Sequence, residues 1–176
     1  MLSLRPADSD DIPLIAALHA QSWRASYRGI LPDAYLDECA DGDRLAVWRA
    51  RFASEKPLWV RIACWGDEPV GFVCLLPDEA PELGIYLDNL HVRGDQQGRG
   101  IGRALMAAAA AEACRIAPGR PLYLWVYQRN AAACAVYARL GGEVLERREV
   151  DTAAGTRAIA LRFHWADPAR LCQPGI

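Results

Sequence analysis

The chain has 176 residues, 52% of them apolar, and a formal net charge of −2. That is the size of one domain with room for a proper core, and the composition is too apolar for a disordered chain. The slightly acidic balance argues against a general nucleic-acid binder, which needs a basic face.

No apolar run reaches the roughly eighteen residues of a membrane span, and Met1 leads straight into a strand-like segment rather than a signal peptide. The six cysteines, at 39, 64, 74, 114, 134 and 172, include no C-x-x-C pair. That spacing disfavours zinc and redox chemistry and predicts buried free thiols in a reducing cytoplasm.

Taken in chain order, Leu2 to Pro6 predicts a first strand. Ser9 or Asp10 is placed to cap a helix whose positions Ile12, Ile15, Leu18, His19, Ser22 and Trp23 recur at helical spacing. Tyr27 to Pro32 predicts a loop, Pro32 to Leu36 a short helix and Asp43 to Phe52 another. Leu58 to Trp65 and Val70 to Leu76 predict a hairpin turning at Gly66-Asp67-Glu68. Leu83 to Val92 predicts a further strand. Its apolar phase runs on odd positions at Ile85 and Leu87, then on even positions at Leu90 and Val92. A regular strand keeps one phase, so the flip predicts a β-bulge near Asp88-Asn89. Ile101 to Ile116 predicts a helix stopped by Pro118-Gly119. Leu122 to Tyr127 predicts a strand, and Ala131 to Leu140 a helix capped by Asn130 and ended by Gly141-Gly142. Glu143 to Val150 and Ala158 to Trp165 close the chain as a hairpin. There is no internal repeat or linker, so residues 1–176 predict a single domain.

The stretch Gln97-Gly98-Arg99-Gly100-Ile101-Gly102-Arg103 stands where a loop becomes a helix. Glycines let the backbone curl and bring its N–H groups close to a ligand. The first N–H groups of a helix have no internal partner and lie at the positive end of its dipole. Together these make an anion site suited to a phosphate or pyrophosphate. No Gly-Lys-Ser or Gly-Lys-Thr follows, which excludes a Walker loop. The glycines are spaced G-x-G-x-G, which also fails the dinucleotide pattern.

The pattern Gln-x-x-Gly-x-Gly resembles the acetyl-CoA pyrophosphate loop of the GCN5-related N-acetyltransferase (GNAT) superfamily. A second segment strengthens the resemblance: Asn130, Ala133, Tyr137 and Leu140-Gly141 match that family's Asn-x-x-Ala-x-x-x-Tyr–Leu-Gly motif in order and spacing. The family's usual Phe after the glycine is replaced by Gly142. The likeness is firm over residues 80–165 and looser before them. It implies an α/β (α+β) fold with a mixed, mostly antiparallel sheet of about seven strands. Helices would flank both faces, and strands 4 and 5 would splay apart.

The resemblance also implies roles. Acetyl-CoA would be the cosubstrate and an amine the acceptor; the charge, hydropathy and cysteine spacing above add the expectation of no nucleic acid, no membrane and no metal. The pyrophosphate would meet Gln97, Gly98, Arg99, Gly100, Ile101, Gly102 and Arg103. Backbone groups of Leu90-His91-Val92 would meet the pantetheine arm and the acetyl carbonyl, and Asn130, Ala133 and Tyr137 the rest of the arm. Tyr137 is the match for the acid that protonates the departing thiolate. Glu82, Asp88 and His91, on or before the fourth strand, are candidates for the base, with a water relay as the alternative. Peptide N-terminal acetyltransferases of the ribosomal-protein type carry a Glu five residues before the Asn. That position is Trp125 here, which argues against their substrate class and would let an aromatic line the acceptor pocket. Trp23, Tyr27, Tyr35 and Trp48, on the N-terminal helices, either belong to the core or shape that pocket. Arg24 and Arg28 either attract an acidic acceptor or form a solvated helix face. A catalytically silent CoA-binding module is the alternative function; a dinucleotide enzyme fails on glycine spacing. The closing hairpin's edge strand admits a homodimer.

Overall fold

A computed structural model describes residues 1–173. Seven strands form one sheet: β1 (Leu2–Pro6), β2 (Trp59–Trp65), β3 (Glu68–Leu76), β4 (Ile85–Val92), β5 (Leu122–Tyr127), β6 (Glu143–Asp151) and β7 (Arg157–Trp165). Their spatial order is β1-β2-β3-β4-β5-β7-β6, antiparallel throughout except for β4 beside β5. Helices α1 (Ile12–Ser26) and α2 (Ala40–Ala53) cover one face, while α3 (Ile101–Ile116) and α4 (Ala131–Arg139) cover the other.

The alternation of side chains divides the core between the faces. Val60, Ile62, Phe72 and Cys74 pack with Ile15, Leu18 and Trp48 of α1 and α2. Ala63, Val73, Leu75, Ile85 and Leu87 pack with Leu105, Met106, Ala109 and Ala113 of α3. The alanines of 107–111 let α3 lie close to the sheet, and Ala109 and Ala110 are fully buried.

Several boundaries differ from those expected. Asp8, rather than Ser9 or Asp10, caps the entry to α1: its carboxylate accepts from Asp10 N–H at 2.9 Å, and Asp11 returns a bond to Asp8 N–H at 3.2 Å. Asp11 itself is held by Arg5 at 2.6 and 2.7 Å, a tie to β1 invisible in local sequence. The two short helices expected after Pro32 are one helical run, joined through a π-type turn at Tyr35–Cys39. The fourth strand begins at Ile85 because a 3-10 turn takes Pro81–Leu83 and Gly84 adopts φ +116°. Among the cysteines all six are free, but Cys39 and Cys172 are exposed rather than buried.

The bulge expected near Asp88-Asn89 is present. On β3, Cys74 faces Asn89 and the next residue, Leu75, faces Leu87, so Asp88 is the extra residue. Ile85, Leu87, Leu90 and Val92 thereby all reach the α3 side. Asp88 and Asn89 both meet Arg51 of α2 on the other. β4 and β5 pair only at Ile85–Leu122 and Tyr86–Tyr123, then part. The cleft opens at that point.

Candidate active site

The gap between β4 and β5 forms a cleft of about 1410 Å³, lined by the glycine loop, both splayed strands, α1, α2 and α4. At one end, Gly98 and Gly100 take φ of +76° and +79°, and α3 starts directly after Gly100. A Cβ at either glycine would meet no protein atom within 4 Å, so the space beside them is open. None of the N–H groups of residues 98–103 donates a backbone bond among the described residues, whereas Ala104 N–H already bonds Gly100. Six consecutive donors at a helix N-terminus fit a pyrophosphate. Arg103 lines the cleft beside them. The Arg99 side chain turns away, stacking on Trp65 at 4.7 Å and bonding Gln96 at 2.6 Å. Gln97 reaches back to the Val92 carbonyl at 3.4 Å.

The open edge of β4 follows from strand geometry. Arg93 N–H bonds the Val70 carbonyl of β3. Backbone groups alternate between the two edges, so His91 also points to β3 while Leu90 and Val92 point to the gap. No strand answers them there, and an extended amide-bearing ligand can.

Across the cleft, Asn130 caps α4 by accepting from Ala133 N–H at 3.3 Å. Two turns on, Tyr137 lies on the same face, wedged against Phe163 and Trp165 at ring separations of 5.7 and 6.1 Å. Tyr137 lines the cleft, and burial pushes its phenol up to about 12. It therefore stays protonated at any working pH.

Of the three candidate bases, two line the cleft. Asp88 stands 2.6 Å from Arg51 Nη2, an ion pair whose angles fall short of a hydrogen bond. His91 Nδ1 is 2.8 Å from Ser22 Oγ, and the ring lies 4.7 Å from that of His19. Burial and the nearby Arg44 guanidinium push His91 down to about 3, so it is neutral near pH 7. Glu82 sits exposed on the 3-10 turn and is not brought to the cleft.

The aromatic residues divide. Trp23, Tyr27, Trp125 and Tyr127 line the cleft. Trp48 is fully buried, donating from Nε1 to His19 Nδ1 at 3.1 Å. Tyr35 packs beneath the site and donates to Asp43 at 2.6 Å. Arg24 and Arg28 are paired with Asp41 and with Asp33 and Asp37, so the solvated-face account of them holds.

Two residues missed by sequence reasoning, Arg44 and Arg51, line the cleft from α2. They lie in helical phase with Trp48, at i−4 and i+3. Arginines in phase with a core tryptophan were the available signal, because a solvated arginine belongs on the opposite face.

Comparison with known proteins agrees with this geometry. The family model for the acetyltransferase (GNAT) family matches residues 18–142. The peptidyl-lysine N-acetyltransferase YjaB of Salmonella typhimurium is 37% identical over 86% of this chain and 90% of its own. A probable N-acetyltransferase of Mycobacterium tuberculosis, Rv2775, is 32% identical over 78% of each chain. A solved GCN5-related N-acetyltransferase from Rhodopseudomonas palustris superposes with a TM-score of 0.73 at 23% identity, over 92% of this chain and 93% of its own. With the splayed β4–β5 pair, the glycine loop and these matches in hand, the chain belongs to the GNAT family and is an acetyl-CoA-dependent N-acetyltransferase.

Proposed function

We propose that this protein moves an acetyl group from acetyl-CoA directly to a primary amine held in the same cleft, with Tyr137 as the acid. The observation that carries the reading is the convergence on one cleft of the glycine loop, whose N–H groups make no backbone bond among the described residues, the edge of β4 left by β5, and Tyr137. Acetyl-CoA supplies the thioester. The loop N–H groups of residues 98–103, with Arg103, bind its pyrophosphate. The Leu90 and Val92 edge aligns the arm, and an N–H there stabilises the charge that develops on the acetyl oxygen, an electrostatic effect that is usually large. Holding both reactants in one cleft supplies much of the remaining acceleration.

The amine nitrogen forms a bond to the acetyl carbon, the carbon–sulfur bond breaks, and one amine proton ends on sulfur. Full transfer from a phenol at about 12 to a thiolate of reference pKa about 8.5 runs uphill. Tyr137 therefore acts first as a hydrogen-bond donor to the developing thiolate, and the acetylated amine's proton refills it. Asp88 is committed to Arg51 and His91 is a weak base, so removal of the amine's first proton is assigned to a water relay in the cleft.

The free cysteines fit a reducing compartment, and we place the protein in the cytoplasm. Among the described residues no helix is long and apolar enough to cross a membrane. β6 is the outer strand, and its Glu146, Arg147, Arg148 and Glu149 blunt edge pairing, so the proposal does not include a homodimer through that edge. An acceptor screen with acetyl-CoA tests the function, reading thiol release against amino acids, polyamines, aminoglycosides and peptides. Thiol release above the hydrolysis background with at least one amine is expected. Tight acetyl-CoA binding without release for any acceptor would favour the silent module instead.

A further inference from the structure

Arg44 is only 9% exposed, yet it lines the cleft. Its guanidinium lies 4.0 Å above the Trp23 ring. It forms no ion pair among the described residues, and its Nε is buried without an acceptor. The adjacent carboxylate on its own helix, Asp43, is already taken by the Tyr35 hydroxyl at 2.6 Å. Burying a charge is costly unless something pairs with it. The Tyr35 hydroxyl stands beside the guanidinium but brings no charge to it. A stacked guanidinium with no anionic partner is well formed to receive a carboxylate.

The rest of the cleft points the same way. Its only lining carboxylate among the described residues is Asp88, and Arg51 holds that one. Arg103 stands beside the glycine loop, and Arg148 is stacked on Trp125 at 3.9 Å. Arg44 is on the α2 side of the sheet, away from the loop at the start of α3, so the pyrophosphate does not need it. A polycationic acceptor would meet arginine with no free carboxylate to receive its second charge. An amine bearing an anion would meet a partner already in place.

We propose that the acceptor is a small amine carrying its own carboxylate, a free amino acid or close analogue, and that Arg44 binds the carboxylate beside Trp23. This rests on the acetyltransferase reading and specifies its acceptor. Binding there leaves the amine within the same cleft as the open β4 edge, where the acetyl carbonyl is expected.

The test uses matched pairs. Thiol release from acetyl-CoA is measured with a panel of L-amino acids, their carboxamides, spermidine and a lysine-containing peptide, for the wild type and for Arg44→Gln. The wild type should favour the best carboxylate over its own amide by about tenfold or more in kcat/KM, the effect of one charge-assisted pair. Arg44→Gln should abolish that preference while acetyl-CoA Kd, read by calorimetry, is unchanged. Amides, spermidine or the peptide matching or surpassing the amino acids in the wild type would overturn the proposal, as would a preference that survives in a folded Arg44→Gln. Should that variant fail to fold, the wild-type comparison decides alone, with Arg44→Lys as the charge-retaining check. Release with amines of the wrong class sinks only the acceptor assignment. No release with any amine sinks the transferase reading itself.

Discussion

Trp165 of β7 lies directly over Gly142 at the end of α4. A Cβ at Gly142 would stand 2.7 Å from Trp165 Cζ2 and 3.0 Å from Phe163 Cδ1. The indole Nε1–H donates to the Leu140 carbonyl at 2.8 Å, adding to a helix end where Gly142 N–H bonds Tyr137 O and Gly141 N–H bonds Ala138 O. This pairing of N–H groups with the last carbonyls closes the helix. Trp165 and Phe163 thus close over the helix end from β7, and position 142 must stay small.

Gly142→Ala should therefore destabilise the protein by roughly 1–3 kcal/mol through overpacking. Urea unfolding by circular dichroism reads this. Because Tyr137 shares the same wall, reduced kcat at unchanged acetyl-CoA Kd is also expected. Wild-type stability in Gly142→Ala would mean that Trp165 gives way freely.

Arg51 joins the bulge to α2, donating to Asn89 Oδ1 at 2.8 Å and pairing with Asp88 at 2.6 Å. Arg51→Met keeps the stem over Trp48 but leaves Asp88, whose side chain is 15% exposed, without its cation. A partly buried unpaired carboxylate should cost about 1–3 kcal/mol. Adding Asp88→Asn should recover part of that loss, a coupling that a double-mutant cycle measures. Simple additivity would show the pair to be inert.

The parts legible in the sequence were those fixed by short-range rules. The phase flip between Leu87 and Leu90 revealed the bulge, because a strand's faces alternate whatever surrounds it. Asn130 announced its cap and Gly98 to Gly102 their loop for the same local reason. What escaped depends on residues far apart in the chain. Arg51 reads as an ordinary helix residue until Asp88 and Asn89 arrive beside it. Arg44 shares its phase with Trp48, but only the fold shows that Asp43 beside it is taken by Tyr35 while Arg24 and Arg28 find their acidic partners. Asp8 took the capping role from Ser9 because Arg5 holds Asp11 in place to complete the reciprocal bonds. Gly142 looked like a departure from the family pattern until Trp165 was found across it.

Gly100 tests the loop. Its φ of +79° is strained for a β-branched residue, and the space beside it is open in the protein. Gly100→Val would therefore collide with ligand rather than with protein. Acetyl-CoA affinity should fall about tenfold or more, a loss of about 1.4 kcal/mol, in a chain that still folds. Calorimetry on the folded variant checks it, and an unchanged Kd would remove the loop from the binding site.

His19 and His91 set an acid limit. Burial lowers both, His91 to about 3, with nearby arginines pushing the same way. In the unfolded chain each takes a proton near pH 6.5. For His91 the unfolded state thus binds more protons between about 3 and 6.5, and His19 acts in the same direction, so stability is full above about 6.5 and falls as pH drops below it. The slope from His91 should approach about 1.4 kcal/mol per pH unit. Protonating His19 at Nδ1 would also break the bond from Trp48. Urea midpoints at pH 7.5 and 5.0 should differ clearly in the wild type and less in His91→Gln. Equal slopes in the two proteins would show that His91 does not carry the effect.

Tyr137 carries the chemical prediction. Tyr137→Phe keeps the ring against Phe163 and Trp165 and removes only the hydroxyl. Acetyl-CoA should bind nearly as before, since the loop N–H groups and the β4 edge are untouched. With the donor to the developing thiolate gone, kcat should fall by about 10²-fold, within the range for loss of a general acid. A fall in kcat and kcat/KM together, at constant Kd, marks an interaction made in the transition state. The wild-type phenol, held up to about 12 by burial, should contribute no basic limb to the rate below about pH 10, so a limb seen there belongs to the amine or the water relay. Wild-type kcat in Tyr137→Phe on a proven acceptor would reduce Tyr137 to a packing residue and leave the ammonium or water to protonate sulfur.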